Sequence, residues 1–447
     1  MALKTNNLEI SRIEIDSLFE SFNYIIDLKS DGNYIKIITA PNGYGKSTIL
    51  NIIDRFISND FMFFVDLSFK EIRFYLSGSY EPIKIVKNRH KYKTDSVVFY
   101  YGECILNVDN GFFDSIKYID SNLPIIYKGR GVWETFDSEE ISLKELLYRF
   151  KGNFSVRELY ENTKWLYEFT DKIKVFYIST NRLFSIKNRN IDFNNEDVLM
   201  ILELQKSIKK QIQDSLNDYT LEGRAKEASF PKRLLKIISE SDEVNSSKID
   251  KITKINELIS EIRVHEENLK KIGILDEVTL NDNSINDLIS EIRNSSGLSV
   301  LQVYLDDKLS KLNKLKSILN KVLLFKTTLD RLLSFKKVKV SLEKGFSIFP
   351  NSNKKKFIPL SELSSGEQHL ILLVGNLIFN IKKGSLVLID EPEISLHSSW
   401  QLDFINIIED IRKINDFSLI IATHAFTLIN DYWDNTIELA EQYDTQR

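Results

Sequence analysis

The chain has 447 residues, of which 43% are hydrophobic and 28% charged, with a formal net charge of −4 at pH 7; this allows two or three domains and a large buried core. The charge balance excludes a basic footprint over the whole molecule, so any nucleic-acid contact has to be local, and Lys354-Lys355-Lys356 and Lys382-Lys383 read as solvated turns. The single cysteine, Cys104, excludes an intrachain disulfide and reads as a small buried apolar residue, while no apolar run reaches the ~20 residues of a membrane span and Met1-Ala2-Leu3-Lys4-Thr5 opens no signal peptide, so a cytoplasmic protein without membrane contact is expected.

Residues 8–39 alternate apolar and polar positions and predict a small antiparallel lobe that turns at Ser30-Asp31-Gly32-Asn33 and enters a central strand, Tyr34–Thr39. There follows Ala40-Pro41-Asn42-Gly43-Tyr44-Gly45-Lys46-Ser47-Thr48, which matches G-x-x-x-x-G-K-[ST] except that Ala40 replaces the first glycine. In such a loop Gly43 and Gly45 let backbone N–H groups curl toward phosphate oxygens, Lys46 reaches the terminal phosphates, and Ser47 offers its hydroxyl to Mg²⁺. The next helix carries Ile49, Leu50, Ile52, Ile53 and Phe56 on one stripe.

Aromatic and β-branched residues from Phe61 to Tyr127 predict further strands of the first lobe, and Ile141–Tyr167 a largely helical stretch. Lys174–Ser179 reads as another central strand, opening at Thr180-Asn181-Arg182. From about 195 to 336 three stripes, Ile201 to Leu216, Ile249 to Ile262 and Leu309 to Leu323, predict an inserted, coiled-coil-like helical hairpin or bundle. Breaks at Gly273, Asn281–Ser284 and Ser295-Ser296-Gly297 argue against one uninterrupted coiled coil. This divides the chain into 1–194, 195–336 and 337–447.

After 337 the pattern returns to strands at Lys337–Phe349 and Phe357–Leu360. Helices from Gly366 and Ser398 then alternate with strands at Ser385–Ile389 and Ser418–Ala422, as in a parallel α/β sheet. Asp390-Glu391-Pro392-Glu393-Ile394-Ser395-Leu396-His397 follows the first of those strands. Asp390 there suits Mg²⁺ and Glu391 suits activation of water, with Glu393, on the turn, as competing base or as an orienting or capping residue. Leu363-Ser364-Ser365-Gly366-Glu367-Gln368 would start a helix whose positive end can grip a γ-phosphate.

Together with Ala422-Thr423-His424, these motifs resemble the ATP-binding-cassette (ABC) ATPases, in the branch that includes the chromosome-maintenance heads and the overcoming-lysogenization-defect (OLD) nucleases. The resemblance implies an α/β P-loop head, a mixed sheet with an antiparallel β lobe, split by the helical insertion. It further implies a head-to-head dimer holding two ATPs, with Mg²⁺ at Ser47 and Asp390. The loop Asn42 to Thr48 of one subunit and Ser365, Gly366 and Glu367 of the other would contact each ATP. Catalysis would use Glu391, His424 as the switch histidine at the γ-phosphate, and Lys46. Asn181 stands where the family has a glutamine at the junction of the lobes, and His397 where transporters of the family carry an aspartate.

Adding Trp400-Gln401 and Asn430-Asp431-Tyr432-Trp433-Asp434, the pattern is similar to the stand-alone ATPases of bacterial anti-phage systems: the PARIS family (AriA) first, the Septu family (PtuA) next. The usual Thr-His-Ser-Pro is Thr423-His424-Ala425-Phe426 here. The PARIS likeness implies a homo-oligomer, such as a hexamer, that holds a Toprim-type toxin nuclease and releases it when a phage-encoded trigger is sensed. The chain ends soon after Glu438-Leu439, so that effector is expected on a separate polypeptide. The alternative is a break-repair-like head that tethers or scans DNA through its helical insert; a transporter subunit fits poorly with so large an insert.

Overall fold

The structure, a computed structural model, describes residues 8–28, 34–89, 95–123, 125–129, 132–135, 139–180, 196–240, 248–274, 292, 295–352 and 356–445. In chain order, strands β1 (Ile10–Leu18), β2 (Phe22–Asp27) and β3 (Ile35–Thr39) lead into helices α1 (Lys46–Ser58) and α2 (Phe61–Asp66). Strands β4 (Glu71–Leu76), β5 (Ile83–Asn88), β6 (Ser96–Tyr101) and β7 (Cys104–Val108) precede helix α3 (Asn110–Asn122). Next come β8 (Ile125–Gly129), β9 (Val132–Thr135), β10 (Glu140–Ser142), α4 (Leu143–Arg149), α5 (Phe154–Thr170) and β11 (Val175–Ile178). Three long helices follow, α6 (Glu196–Glu240), α7 (Lys248–Lys271) and α8 (Ser295–Leu332), then the hairpin β12 (Lys336–Ser341) and β13 (Gly345–Pro350) and helix α9 (Ser365–Gly375). The chain closes with β14 (Leu386–Asp390), α10 (Ser398–Asn415), β15 (Ser418–Thr423), α11 (Phe426–Ile429), β16 (Thr436–Glu438) and α12 (Leu439–Asp444).

Contacts group these elements into two units, one of residues 1–181, 381–406 and 415–447, the other of 182–380 and 407–414. In the first unit a six-stranded antiparallel sheet runs β2-β1-β4-β5-β6-β7 and a small sheet runs β10-β9-β8. A five-stranded sheet, β11-β14-β15-β3-β16, is parallel throughout. Its inner strands are almost continuously apolar, as expected for strands covered on both faces. The α1 stripe Ile49, Leu50, Ile52, Ile53 and Phe56 is fully buried, each side chain contributing roughly 1.5–3 kcal/mol, and Phe56 stacks on Phe74 at 3.9 Å.

Three expectations for this unit change. Residues 61–66 and 110–122 are helices rather than strands, because Asp60 and Asp109 cap them by accepting from the Phe63 and Phe112 N–H groups. Cys104 is exposed, since it opens edge strand β7 directly after the hairpin turn at Gly102.

In the second unit α8 packs along both α6 and α7. Buried apolar residues recur along all three helices: Ile201, Leu204, Ile208 and Ile212 of α6, Ile255, Leu258, Ile259 and Ile262 of α7, and Leu312, Leu315, Ile318 and Val322 of α8; Leu204 lies against Gly375 of α9. The α7 stripe starts later than its spacing suggests: Ile249, in the first turn of the helix, is 75% exposed. Both guanidinium ends of Arg233 bond Asp307, tying α6 to α8, and Lys308 pairs with the buried Glu266 of α7 at 2.9 Å. Gly345 has a φ of +73°, and a Cβ there would stand 2.4 Å from the Gln205 carbonyl oxygen, so the β12–β13 hairpin seats against α6 only with glycine. The stretch read as a strand at 357–360 makes one bridge, Ile348 to Ile358, and passes into a 3-10 turn at Leu360–Glu362. Among the described residues no helix is long and apolar enough to cross a membrane.

Candidate nucleotide site

The carboxyl ends of the parallel strands share one edge, where ligands of open α/β sheets bind. Register sets Asp390 opposite Ala422, Thr423 opposite Thr39, and Glu438 opposite Thr39 on the other side of β3. The loop after β3 bends through Gly43 (φ +94°) and Gly45 (φ +84°), and nothing lies within 4 Å of a Cβ placed on Gly43. Asn42 and Gly43 are exposed, while Tyr44, Gly45, Ser47 and Thr48 are half-buried. Lys46 is only 5% exposed. Its Nζ donates to the carbonyls of Ala40 at 2.8 Å and Pro41 at 3.3 Å, folding the side chain back along the loop. The Tyr24 hydroxyl, from β2, donates to the Tyr44 carbonyl at 2.8 Å. The Tyr44 ring lies beside Phe22 and Tyr443, so the antiparallel sheet and α12 hold the loop from outside.

Asp390, 3% exposed, is the junction of the site. Its Oδ1 accepts from Ser47 Oγ at 2.9 Å and its Oδ2 from Thr180 Oγ1 at 2.7 Å. Burial, then the charge of Asp390, pushes the neighbouring Tyr177 hydroxyl up from its ordinary value. Asn181 lies outside the described residues; the adjacent Thr180 is the side chain at the end of β11 that meets Asp390.

Glu391 adopts the left-handed conformation, φ +44° and ψ +59°, and its N–H donates to the Ala422 carbonyl at 2.8 Å. Its Oε1 lies 3.8 Å from His424 Nδ1. Glu393 reaches closer. Its Oε1 accepts from Thr423 Oγ1 at 2.7 Å and from the His424 N–H at 2.9 Å, and stands 3.1 Å from His424 Nδ1. Gln401 donates to the carbonyls of Glu393 and Leu396 and accepts from the Thr427 hydroxyl, a second tie between the Pro392–Ser395 turn and the segment after β15.

Ser365, Gly366 and Glu367 belong to the second unit, at the start of α9. Ser364 caps that helix, with Glu367 completing the reciprocal capping box. The Glu367 carboxylate also takes the Lys336 ammonium of β12. Burial works to raise the Glu367 carboxyl, but the bonds from Lys336 and Ser364 outweigh it and hold it below the ordinary carboxylate range.

The AAA ATPase domain family matches residues 9–429. The chain belongs to that family. No curated protein matches it. Among solved structures the ATPase chain is similar to the Smc head domain with an extended coiled coil bound to the C-terminal domain of ScpA from Pyrococcus furiosus, at 12% identity over 96% of this chain and 93% of that one, TM-score 0.37. It is also similar to the Smc head domain with a coiled coil and joint from Pyrococcus yayanosii, at 15% identity over 96% and 95%, TM-score 0.35. The protein is thus a mixed α/β P-loop ATPase domain with a long helical insertion.

For an ATPase domain, the residues present suit Mg²⁺. That ion takes hard oxygen ligands, and a hydroxyl and a carboxylate oxygen already converge at Ser47 and Asp390. Three participants were not singled out in the sequence as site residues: Thr180, Gln401 and Glu438. Burial holds the Glu438 carboxyl above its ordinary range, and the positive charge of the loop lysine Lys46 offsets this only slightly. Thr180 and Glu438 each stand at the end of a strand whose register with β14 or β3 sets its height, and only pairing the strands reveals that.

Proposed function

We propose that this protein binds ATP with Mg²⁺ and hydrolyses it to ADP and phosphate, and that the cycle times the retention of a partner. The observation that carries the reading is Asp390, which joins the phosphate-loop serine to Thr180 with Glu391 and His424 beside it. Lys46 would leave the Ala40 and Pro41 carbonyls for the terminal phosphates. Ser47 and Asp390 would hold Mg²⁺, which when bound neutralises phosphate charge. Glu391 would take the proton of the attacking water, and His424, with its side chain 47% exposed, would contact the γ-phosphate.

Ser365, exposed, and Gly366, half-buried, at the start of α9 support the ABC-type reading, in which each head offers these residues to its partner's ATP in a dimer. The pattern from Leu363 to His369, with Asp390 to His397 and Ala422 to His424, supports an anti-phage role. There an ATP-bound oligomer holds a separate nuclease and releases it when infection is sensed. The test is ATP·Mg²⁺ binding, turnover and particle mass of the purified chain, wild type against Glu391→Gln. ATP-dependent assembly that the variant locks supports the reading, and failure of the wild type to bind ATP sinks it. Nuclease retention is read by co-purification with a Toprim-type nuclease supplied as a separate chain, with and without ATP.

A further inference from the structure

We propose that Glu393, rather than acting as a second base, is the positioning residue of His424: its carboxylate faces the Nδ1 hydrogen of the imidazole and so turns Nε2 to the γ-phosphate, where the ring takes up a proton from solvent at Nε2 and donates it to a phosphate oxygen. The proposal rests on the ATPase reading above.

Three groups from the end of β15 converge on one oxygen, Oε1: the Thr423 hydroxyl, the His424 N–H and His424 Nδ1. A carboxylate only accepts, so of the two ring nitrogens Nδ1, 3.1 Å away, is the one it favours as N–H. Glu391 faces the same nitrogen from 3.8 Å, and its side chain is 20% exposed against 6% for Glu393. The nearer, drier carboxylate decides the ring's orientation, and Glu391 stays available to water.

The other oxygen of Glu393, Oε2, is buried and has no hydrogen-bond partner among the described residues. Unpaired buried carboxylate oxygens are costly. An anchor for the Thr423 hydroxyl and the His424 N–H needs only a neutral acceptor, which glutamine supplies without burying a charge. The charge is accounted for by the imidazole. The same turn is tied through Gln401 to Thr427, so movement of His424 toward a phosphate would be felt on both sides of Pro392–Ser395.

The tests use the full chain. ATP and ADP affinities are measured with Mg²⁺ for the wild type, Glu393→Ala, Glu393→Gln, His424→Ala and the Glu393→Ala/His424→Ala pair. His424→Ala is expected to weaken ATP roughly tenfold with ADP unchanged, the scale of one charge-assisted hydrogen bond. Glu393→Ala should reproduce that ATP-specific loss, the double variant should add nothing to it, and Glu393→Gln, which keeps the acceptor without the charge, should restore only part of it. Equal losses for both nucleotides would mark a purely structural residue and overturn the proposal; so would full ATP affinity with lost turnover, the signature of a base. Nitrogen NMR of His424 without nucleotide supplies a readout independent of ATP. The Nδ1–H form is expected in the wild type and its loss in Glu393→Ala; an Nε2–H wild type refutes the proposal even where the ATPase reading stands. Wild-type protein that binds no nucleotide yet shows the Nδ1–H form would instead refute the ATPase reading and, with it, the presentation to phosphate.

Discussion

Ser47 and Asp390 stand 343 positions apart in the chain, and the serine hydroxyl donates to the aspartate Oδ1 at 2.9 Å. The bond joins the first turn of α1 to the end of β14, and with Thr180 it leaves both carboxylate oxygens satisfied. Asp390→Ala should therefore do two things. It should remove Mg²⁺-dependent tightening of ATP binding, and it should lower stability by about 1–3 kcal/mol through two orphaned hydroxyls. Thr180→Val should keep most nucleotide affinity and cost about 1 kcal/mol. Titration calorimetry with and without Mg²⁺, beside thermal melting, separates the two effects.

Glu391→Gln keeps the shape of the side chain and removes its basicity. Turnover should fall by roughly 10²–10⁴ while ATP is still bound. Unchanged single-turnover hydrolysis in this variant would return the base role to another carboxylate.

The depressed carboxyl of Glu367 makes a pH statement. A carboxylate held below its unfolded value contributes stability that is present above the unfolded pKa, near 4.5, and is lost as pH falls through the lower folded value. Replacing Lys336 by Met removes the ammonium partner. The variant should melt lower at neutral pH, and its melting temperature should converge on the wild type's in acid. Parallel melting curves across that window would contradict the assignment.

Gly345→Ala should lower stability by about 2–4 kcal/mol, from a left-handed backbone and a Cβ driven into the Gln205 carbonyl. Hydrogen exchange in the β12–β13 hairpin and the facing turn of α6 should accelerate before exchange elsewhere in the second unit. Uniform acceleration would mean that the hairpin does not seat on α6 as described.

What was legible in the sequence is what is encoded locally. The loop Ala40 to Thr48, the α1 stripe and the apolar run before Asp390 each announce themselves within a few turns of chain, and each lies where its pattern suggests. Thr180 was less legible because its meeting with Asp390 depends on parallel register between β11 and β14, which no short window contains. Glu393 reads locally as a turn residue. Its partners, Thr423 and His424, lie 30 and 31 positions away and meet it only because β15 lies beside β14. Ile249 fits the α7 spacing but stands in the first turn of that helix, where periodicity does not tell which residues find a neighbour.

Glu391 holds a backbone conformation that costs an L-residue with a full side chain on the order of 1–3 kcal/mol. Glycine, or to a lesser degree asparagine, adopts it more easily. A laboratory selection for heat-resistant variants of this protein would accordingly be drawn to position 391 early, and the hardier proteins it returned with glycine there would be those that had given up turnover.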